Sequence, residues 1–165
     1  MKIIIASDIH GSAYWCKKLI DVVNKENPQK LLLLGDILYH GPRNPLPDEY
    51  NPPKVVELLS SVKEKILCVR GNCDAEVDQM VLPFPILCEY GVISDGEVNI
   101  YFSHGHREVL PLLPTDVYVT GHTHVPVDEN LGYRHLNPGS TSLPKENSNH
   151  GYILYENGKF SFKAL

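Results

Sequence analysis

The segment Lys2-Ile3-Ile4-Ile5-Ala6-Ser7-Asp8-Ile9-His10 begins with a run of apolar, mostly β-branched residues and ends at an acid and an imidazole. An apolar run without alternation is the pattern of a parallel strand covered on both faces. From about Ser12 the spacing changes, and Trp15, Leu19, Val22 and Val23 fall on one helical face until Asn27-Pro28 stops the helix. Residues 31–34 form a second apolar run closed by Gly35-Asp36, and residues 66–69 a third, closed by Arg70-Gly71-Asn72. A helix over 54–63 fits between them, with Val55, Val56, Leu58, Leu59 and Val62 available to a core. The first third therefore reads βαβαβ, and Trp15 at helical spacing is expected in the core.

Between 37 and 53 lies a proline-rich stretch without periodicity, carrying Pro42, Pro45, Pro47, Pro52 and Pro53. A loop that long in a small domain is functional or mobile, and its start beside Asp36 lets it wall a site. The second half reads as strands: 86–90, 99–103, 117–120, 125–128, 134–137, 152–155 and 160–163, with Gly132 and Asn157-Gly158 where hairpin turns belong. No repeat, low-complexity tract or linker interrupts the chain, so one domain over 1–165 is expected, an α/β protein with two sheets face to face and helices outside.

Polar residues of metal-binding type recur just after the apolar runs. Asp8-Ile9-His10 follows the first, Gly35-Asp36 the second and Gly71-Asn72-Cys73-Asp74 the third; His104-Gly105-His106 and Gly121-His122-Thr123-His124 follow two later ones. Ligands of open α/β sheets bind outside the carboxyl ends of strands, so these endings gather Asp, Asn and His on one rim. Asp8 or Asp36 alone would be a turn-former, and Asn72 alone a left-handed turn residue; together with the histidines they point to metal. Carboxylate, imidazole and amide oxygen in one set suit Mn, Fe, Co, Ni or Zn, whereas an all-oxygen calcium cage would not recruit so many histidines. The single residue between Asp8 and His10, and between His122 and His124, is expected to aim both members of each pair to one side of an extended segment.

The series DxH, GD, GNCD, HGH, GHTH resembles the calcineurin-like metallophosphoesterase superfamily over essentially the whole chain. Leu34-Gly35-Asp36-Ile37-Leu38, His40-Gly41-Pro42-Arg43-Asn44 and Val69-Arg70-Gly71-Asn72-Cys73-Asp74 look more narrowly like its YfcE-type phosphodiesterase branch. The resemblance implies a four-layer α/β/β/α sandwich with two mixed sheets. It also implies two divalent transition metal ions, Mn first among them with Ni, Fe, Co or Zn as alternatives. One would be held by Asp8, His10, Asp36 and His124, the other by Asp36, Asn72, His104 and His122, with Asp36 bridging. The implied reaction is hydrolysis of a small phosphodiester by in-line attack of a metal-bridging hydroxide.

Asp36, Asn72, Cys73 and His106 are the candidate catalytic side chains, His106 either bonding a ligand or touching substrate; His40, Arg43 and Cys73 are candidate substrate contacts. Many relatives carry His directly after the motif Asn, and this chain has Cys73. A thiol is a poor proton donor beside imidazolium, which favours esters whose leaving groups need little protonation; the resemblance to the YfcE-type branch, which shares this Cys, implies a diesterase. It leaves Asp74 without an imidazole to orient and gives it a structural role. In the family the Asn137-Pro138-Gly139-Ser140 segment lies beside the site, where its amides could face an anion. Two alternatives stand beside this reading: a catalytically weak interaction scaffold of the same fold, like the retromer subunit, and a phosphomonoesterase or dinucleoside polyphosphate hydrolase. The scaffold lacks part of the ligand set that this chain retains.

Composition fits this reading. With 42% hydrophobic and 21% charged residues the 165-residue chain is an ordinary globular one. A formal charge of -5 speaks against a long nucleic acid, which needs a basic track. Cys16, Cys68, Cys73 and Cys88 show no CxxC spacing, so reduced thiols and a cytoplasmic setting are expected, with Cys16, Cys68 and Cys88 as small buried hydrophobes. The first apolar run is too short for a signal or membrane segment, and no membrane partner is expected. A homodimer is left open, and His135 and His150, outside any motif, are given no role.

Overall fold

The computed structural model describes residues 1–96, 98–108 and 110–165. Strands β1 (Lys2–Ala6), β2 (Lys30–Leu33) and β3 (Ile66–Cys68) run parallel, crossed over by helices α1 (Ala13–Glu26) and α2 (Pro52–Ser60). Helix α1 starts where the Ser12 hydroxyl accepts the Trp15 N–H, and stops where Asn27 turns left-handed at φ 45° and donates its N–H to the Val23 carbonyl. Helix α2 begins two residues earlier than expected, because Asn51 caps it and prolines suit the first turn, whose N–H groups have no intrahelical partner.

β9 (Gly151–Glu156) pairs antiparallel with β1, and β10 (Lys159–Ala164) with β9, giving the order β10-β9-β1-β2-β3. The second sheet contains β4 (Tyr90–Ser94), β5 (Asn99–Ser103), β6 (Val117–Val119), β7 (Pro126–Asn130) and β8 (Arg134–Pro138), in the order β4-β5-β6-β8-β7. There β5, β6 and β8 are parallel and the two edges antiparallel. The sheets are thus both mixed, and they meet face to face.

The unbroken apolar run of β1 follows from this layering. Ile4 and Ala6 face the helices, among Cys16, Leu19, Val23, Val55 and Leu59. Ile3 and Ile5 face the second sheet, among Phe102, Val117, Val119 and Leu136. Each of these isoleucines contributes about 1.5–3 kcal/mol on burial, so both faces of the strand are stabilised by hydrophobic contact. Both long helices lie on the first sheet. The outer face of the second carries Tyr118, whose hydroxyl is 2.5 Å from Ser103 Oγ and whose ring packs near Tyr133 and His135. No helix among the described residues is long and apolar enough to cross a membrane.

Three expectations need correction. The strand expected over 86–90 begins only at Tyr90. Ahead of it Pro83 and Pro85 have no N–H to give a ladder, and Leu82, Phe84 and Ile86 are spent on the core beneath the helices, where Gln79 Oε1 takes the Ile86 N–H at 2.9 Å. Trp15 is only half-buried: its ring stacks on His150 at 3.5 Å between centroids, and its Nε1–H donates to Asp48 Oδ2. Cys16 and Cys68 are buried, but Cys88, just ahead of an edge strand, is exposed.

Candidate metal centre

The candidate ligands leave the carboxyl ends of the parallel strands of both sheets: Asp8 and His10 after β1, Asp36 after β2, Asn72 after β3, His104 after β5, His122 and His124 after β6. They do not lie on extended segments. Asp8, His10, Asp36, His122 and His124 take φ of 57°, 50°, 54°, 68° and 63°, in the left-handed region. A non-glycine residue there costs about 1–3 kcal/mol, and such strain concentrates at functional sites. The expected extended backbone is therefore corrected, while both members of each pair do aim to one side, brought inward by left-handed turns. Glycines let the turns crowd: a Cβ on Gly71 would lie 2.1 Å from Asp36 Oδ1, and one on Gly121 1.9 Å from Ser7 Oγ.

The imidazole tautomers are dictated by backbone. His10 Nδ1 is 2.8 Å from the Tyr39 carbonyl, His104 Nδ1 2.7 Å from that of Leu34, and His124 Nδ1 2.7 Å from that of Leu143. A carbonyl only accepts, so each Nδ1 carries the proton and each neutral ring turns a bare Nε2 lone pair inward. Those lone pairs converge on other acceptors. His10 Nε2 and His124 Nε2 are 3.2 Å apart, and His104 Nε2 is 3.0 Å from Asn72 Oδ1. Asp8 Oδ1 lies 3.5 Å from His10 Nε2 and 3.2 Å from His124 Nε2. Asp36 Oδ2 stands between the two groups, 3.6 Å from His10 Nε2 and 3.5 Å from His104 Nε2.

Facing acceptors require positive charge between them, as protons or as cations. Burial resists charging His104, yet Asp36 and then Asp8 outweigh it and push the imidazole up to about 9. His10 is raised in the same way, burial opposing and Asp8 prevailing. Burial by itself would raise Asp8, but His10 and His124 hold it well below the usual carboxylate range. Its Oδ2 is satisfied by Ser7 Oγ–H at 2.5 Å and the His122 N–H at 3.0 Å, while the buried Oδ1 receives no hydrogen bond. An orphaned carboxylate oxygen aimed at two Nε2 lone pairs is a cation ligand in geometry and chemistry, and the donor set fits borderline divalent metals. Asp8, His10 and His124 offer one such group, and Asp8, Asp36 and His104 another.

The surrounding residues hold these in place. Asp74 accepts the N–H groups of Asp36, Ile37 and Gly71 at 2.8, 2.9 and 2.7 Å, and so fixes the turn that carries Asp36. The Asn137–Ser140 segment braces the candidate ligands: Asn137 Nδ2 donates to the Gly121 carbonyl, Ser140 Oγ to that of Asp8, and the Gly139 N–H is taken by Asn137 Oδ1. His106 packs against His104 and His122, with ring centroids 5.3 and 6.1 Å away, and burial, seconded by His104, lowers its pKa.

A cleft of about 500 Å³ opens over the cluster, and Asp36, Asn72, Cys73, His122 and His124 line it. The proline-rich loop supplies one wall through residues 41–45, Arg43 included. His40 does not line the cleft; its ring stands edge-on to Tyr39 and Tyr50, at 4.8 and 5.2 Å. Lys145 lines the cleft and was not anticipated: it belongs to no motif, and its one signal is a cation in the loop after Pro138-Gly139. Its N–H is tied to the His124 carbonyl at 3.1 Å. Cys73 is half-buried, and burial, with Asp36 adding to it, pushes its thiol up to about 12.

A family model of the calcineurin-like phosphoesterase superfamily domain matches residues 1–159. The chain is 45% identical over 170 aligned residues, all of it and 92% of the relative, to phosphodiesterase YfcE of Escherichia coli K12. It superposes on the structure of YfcE, described as a phosphoesterase from E. coli, with a TM-score of 0.96 and 42% identity, covering 99% and 93% of the two chains. Vps29 of Chaetomium thermophilum shares the fold alone, with a TM-score of 0.65 and 16% identity over 99% and 95% of the chains. The Asp and His cluster on its turns, the two mixed sheets and these matches agree: the chain belongs to the calcineurin-like phosphoesterase superfamily.

Proposed function

We propose that this protein is a metal-dependent phosphodiesterase acting on small phosphodiesters. The observation that carries the reading is Asp36 Oδ2, placed between the His10 and His104 Nε2 lone pairs at 3.6 and 3.5 Å on the floor of the cleft. Asp8, His10, Asp36 and His124 would hold one divalent ion, and Asp36, Asn72, His104 and His122 a second; Mn leads, with Ni, Fe, Co and Zn as alternatives. When bound, such a pair supplies Lewis acidity toward phosphoryl oxygens and makes water nucleophilic at neutral pH.

The remaining work belongs to the chain. Asp36 sets the spacing of the two clusters, and the Asp74 carboxylate holds Asp36. Arg43 and Lys145 on the cleft walls attract the anionic substrate. Cys73, a neutral thiol, gives the leaving oxygen little protonation, so esters of acidic alcohols and phenols suit the site better than alkyl esters. The resemblance to phosphodiesterase YfcE at 45% identity supports diesters over monoesters. The retained ligand set supports an enzyme over a scaffold.

The free cysteines support a cytoplasmic setting. The β4 edge, Tyr90–Ser94, bears neither charge nor proline and exposes Val92, which supports pairing with a second copy. The test is turnover of bis(p-nitrophenyl) phosphate by protein stripped of metal and reloaded with Mn. Wild type is expected to hydrolyse it, and Asp36→Ala to lose more than about 100-fold, beyond the loss typical of partners outside the metal shell. Silent wild type, or Asp36→Ala at wild-type rate, would refute the reading.

A further inference from the structure

Next to the metal cleft lies a second hollow of about 360 Å³, and Cys73 lines both. The hollow is otherwise walled by aromatic and aliphatic side chains, among them Tyr39, Tyr50 and Val77, with one acid, Asp78, whose Oδ2 is already engaged by the Ala75 N–H at 2.8 Å. Tyr39 and Val77 are 42% and 63% exposed, more apolar surface than a wall with nothing to bind needs to show to water.

Two features connect this hollow to the chemistry. Tyr39 gives its carbonyl to His10 Nδ1, so the backbone that carries the tyrosine ring is bonded to the imidazole of a candidate ligand. The His40 ring props the rings of both Tyr39 and Tyr50 edge-on. That accounts for a histidine whose sequence position suggested phosphate contact and whose side chain is absent from the cleft.

The charges of the two basins differ. Arg43 and Lys145 line the cleft, and among the described residues no cation lines the hollow, where Asp78 would repel a second phosphate. Cys73 lines both basins and joins them. We propose that the hollow is a subsite for a planar, uncharged aromatic arm of the diester, a nucleobase or aryl ring seated against Tyr39 and Val77 while the phosphoryl group lies over the metal cluster. This rests on the proposed function and narrows it: the substrate is a diester with at least one aromatic arm.

Calorimetric titration of the Mn-loaded protein with inorganic phosphate, ribose 5-phosphate and adenosine 5′-monophosphate tests the assignment without turnover. The nucleotide is expected to bind about tenfold tighter than ribose 5-phosphate, the range of one base stacked on an aromatic side chain. Tyr39→Ala should bring that ratio close to one and Tyr39→Phe should preserve it. Val77→Ser, at an exposed position that tolerates change, should lower it. Val92→Ser, on the distant β4 edge, should leave it intact. A wild-type ratio of one, or a ratio that survives both Tyr39→Ala and Val77→Ser, overturns the subsite while phosphate binding keeps the metal reading alive. Absence of binding by phosphate itself overturns both.

Discussion

Asp36 is the residue on which the two ligand clusters meet, and its surroundings leave it no room. Its Oδ1 takes the Cys73 N–H at 2.7 Å, its own N–H goes to Asp74, and Gly71 passes so close that a methyl group would overlap Oδ1. Gly71→Ala is therefore expected to destabilise the fold by about 1–3 kcal/mol, the usual cost of overpacking, read as a lowered midpoint in urea. His104 gives a prediction with a sign. Its pKa in the metal-free fold is raised from an ordinary value of 6.5 to about 9 by Asp36 and Asp8 acting against burial. The stabilisation from the charged ring is complete below about 6.5 and lost as pH rises through about 9. Melting of the metal-free protein should accordingly fall between pH 7 and 9.5, while Mn affinity, which needs the bare Nε2, should rise over the same interval. Cys73 makes a third prediction. Without a strong acid, diesters with aryl leaving groups should be turned over about 100-fold or more faster than dialkyl ones, the scale of general acid catalysis; equal rates would mean that another group protonates the leaving oxygen. The clustering of these side chains was legible because Asp, Asn and His recur after apolar runs. Their left-handed backbone was not, since that conformation is usually announced by glycine and here belongs to Asp8, His10, Asp36, His122 and His124.

Among the elements, helix α1 ties the site together at its first turn. Ser12 Oγ accepts the Trp15 N–H at 3.3 Å and donates to the Asp48 carbonyl at 2.6 Å, so one hydroxyl caps the helix and fastens the proline-rich loop. Ser12→Ala is expected to cost about 0.5–2 kcal/mol, as loss of an N-cap does, with the change visible in denaturant unfolding. Trp15 continues the same junction by bonding Asp48 and stacking on His150, which ends the loop that carries Lys145. Helical spacing pointed Trp15 inward, but a loop contact satisfies its indole N–H better than the core beneath would. The apolar runs of β1 and β2 were readable because both faces are covered. Residues 86–90 were not, because Ile86 fills the helical core from an irregular segment, and apolar content alone does not separate a strand from a plug. Lys145 went unread for the opposite reason: a lone cation in a loop has no pattern, and only the fold brings it to the cleft.

At the scale of the molecule, the two mixed sheets place their parallel strand ends on one rim, and the strain of the turns there is maintained by the rest of the fold. A cluster of facing acceptors and strained turns gains stability from any cation that fills it. Addition of Mn to metal-free protein should raise the melting temperature in a concentration-dependent way, by about 2.7 kcal/mol of stability at a hundredfold excess over Kd, and a chelator should reverse it. The fold class and the rim were legible in the order of apolar runs and polar endings; the second hollow beside Cys73 was not, because Tyr39, Tyr50 and Val77 meet only in three dimensions. The account as a whole depends on two cations sharing Asp36. Anomalous diffraction from crystals of the Mn-loaded protein tests this directly. Two peaks about 3.5–4 Å apart, one on either side of the Asp36 carboxylate, are predicted; no peak there, or manganese bound only at surface carboxylates, would contradict it.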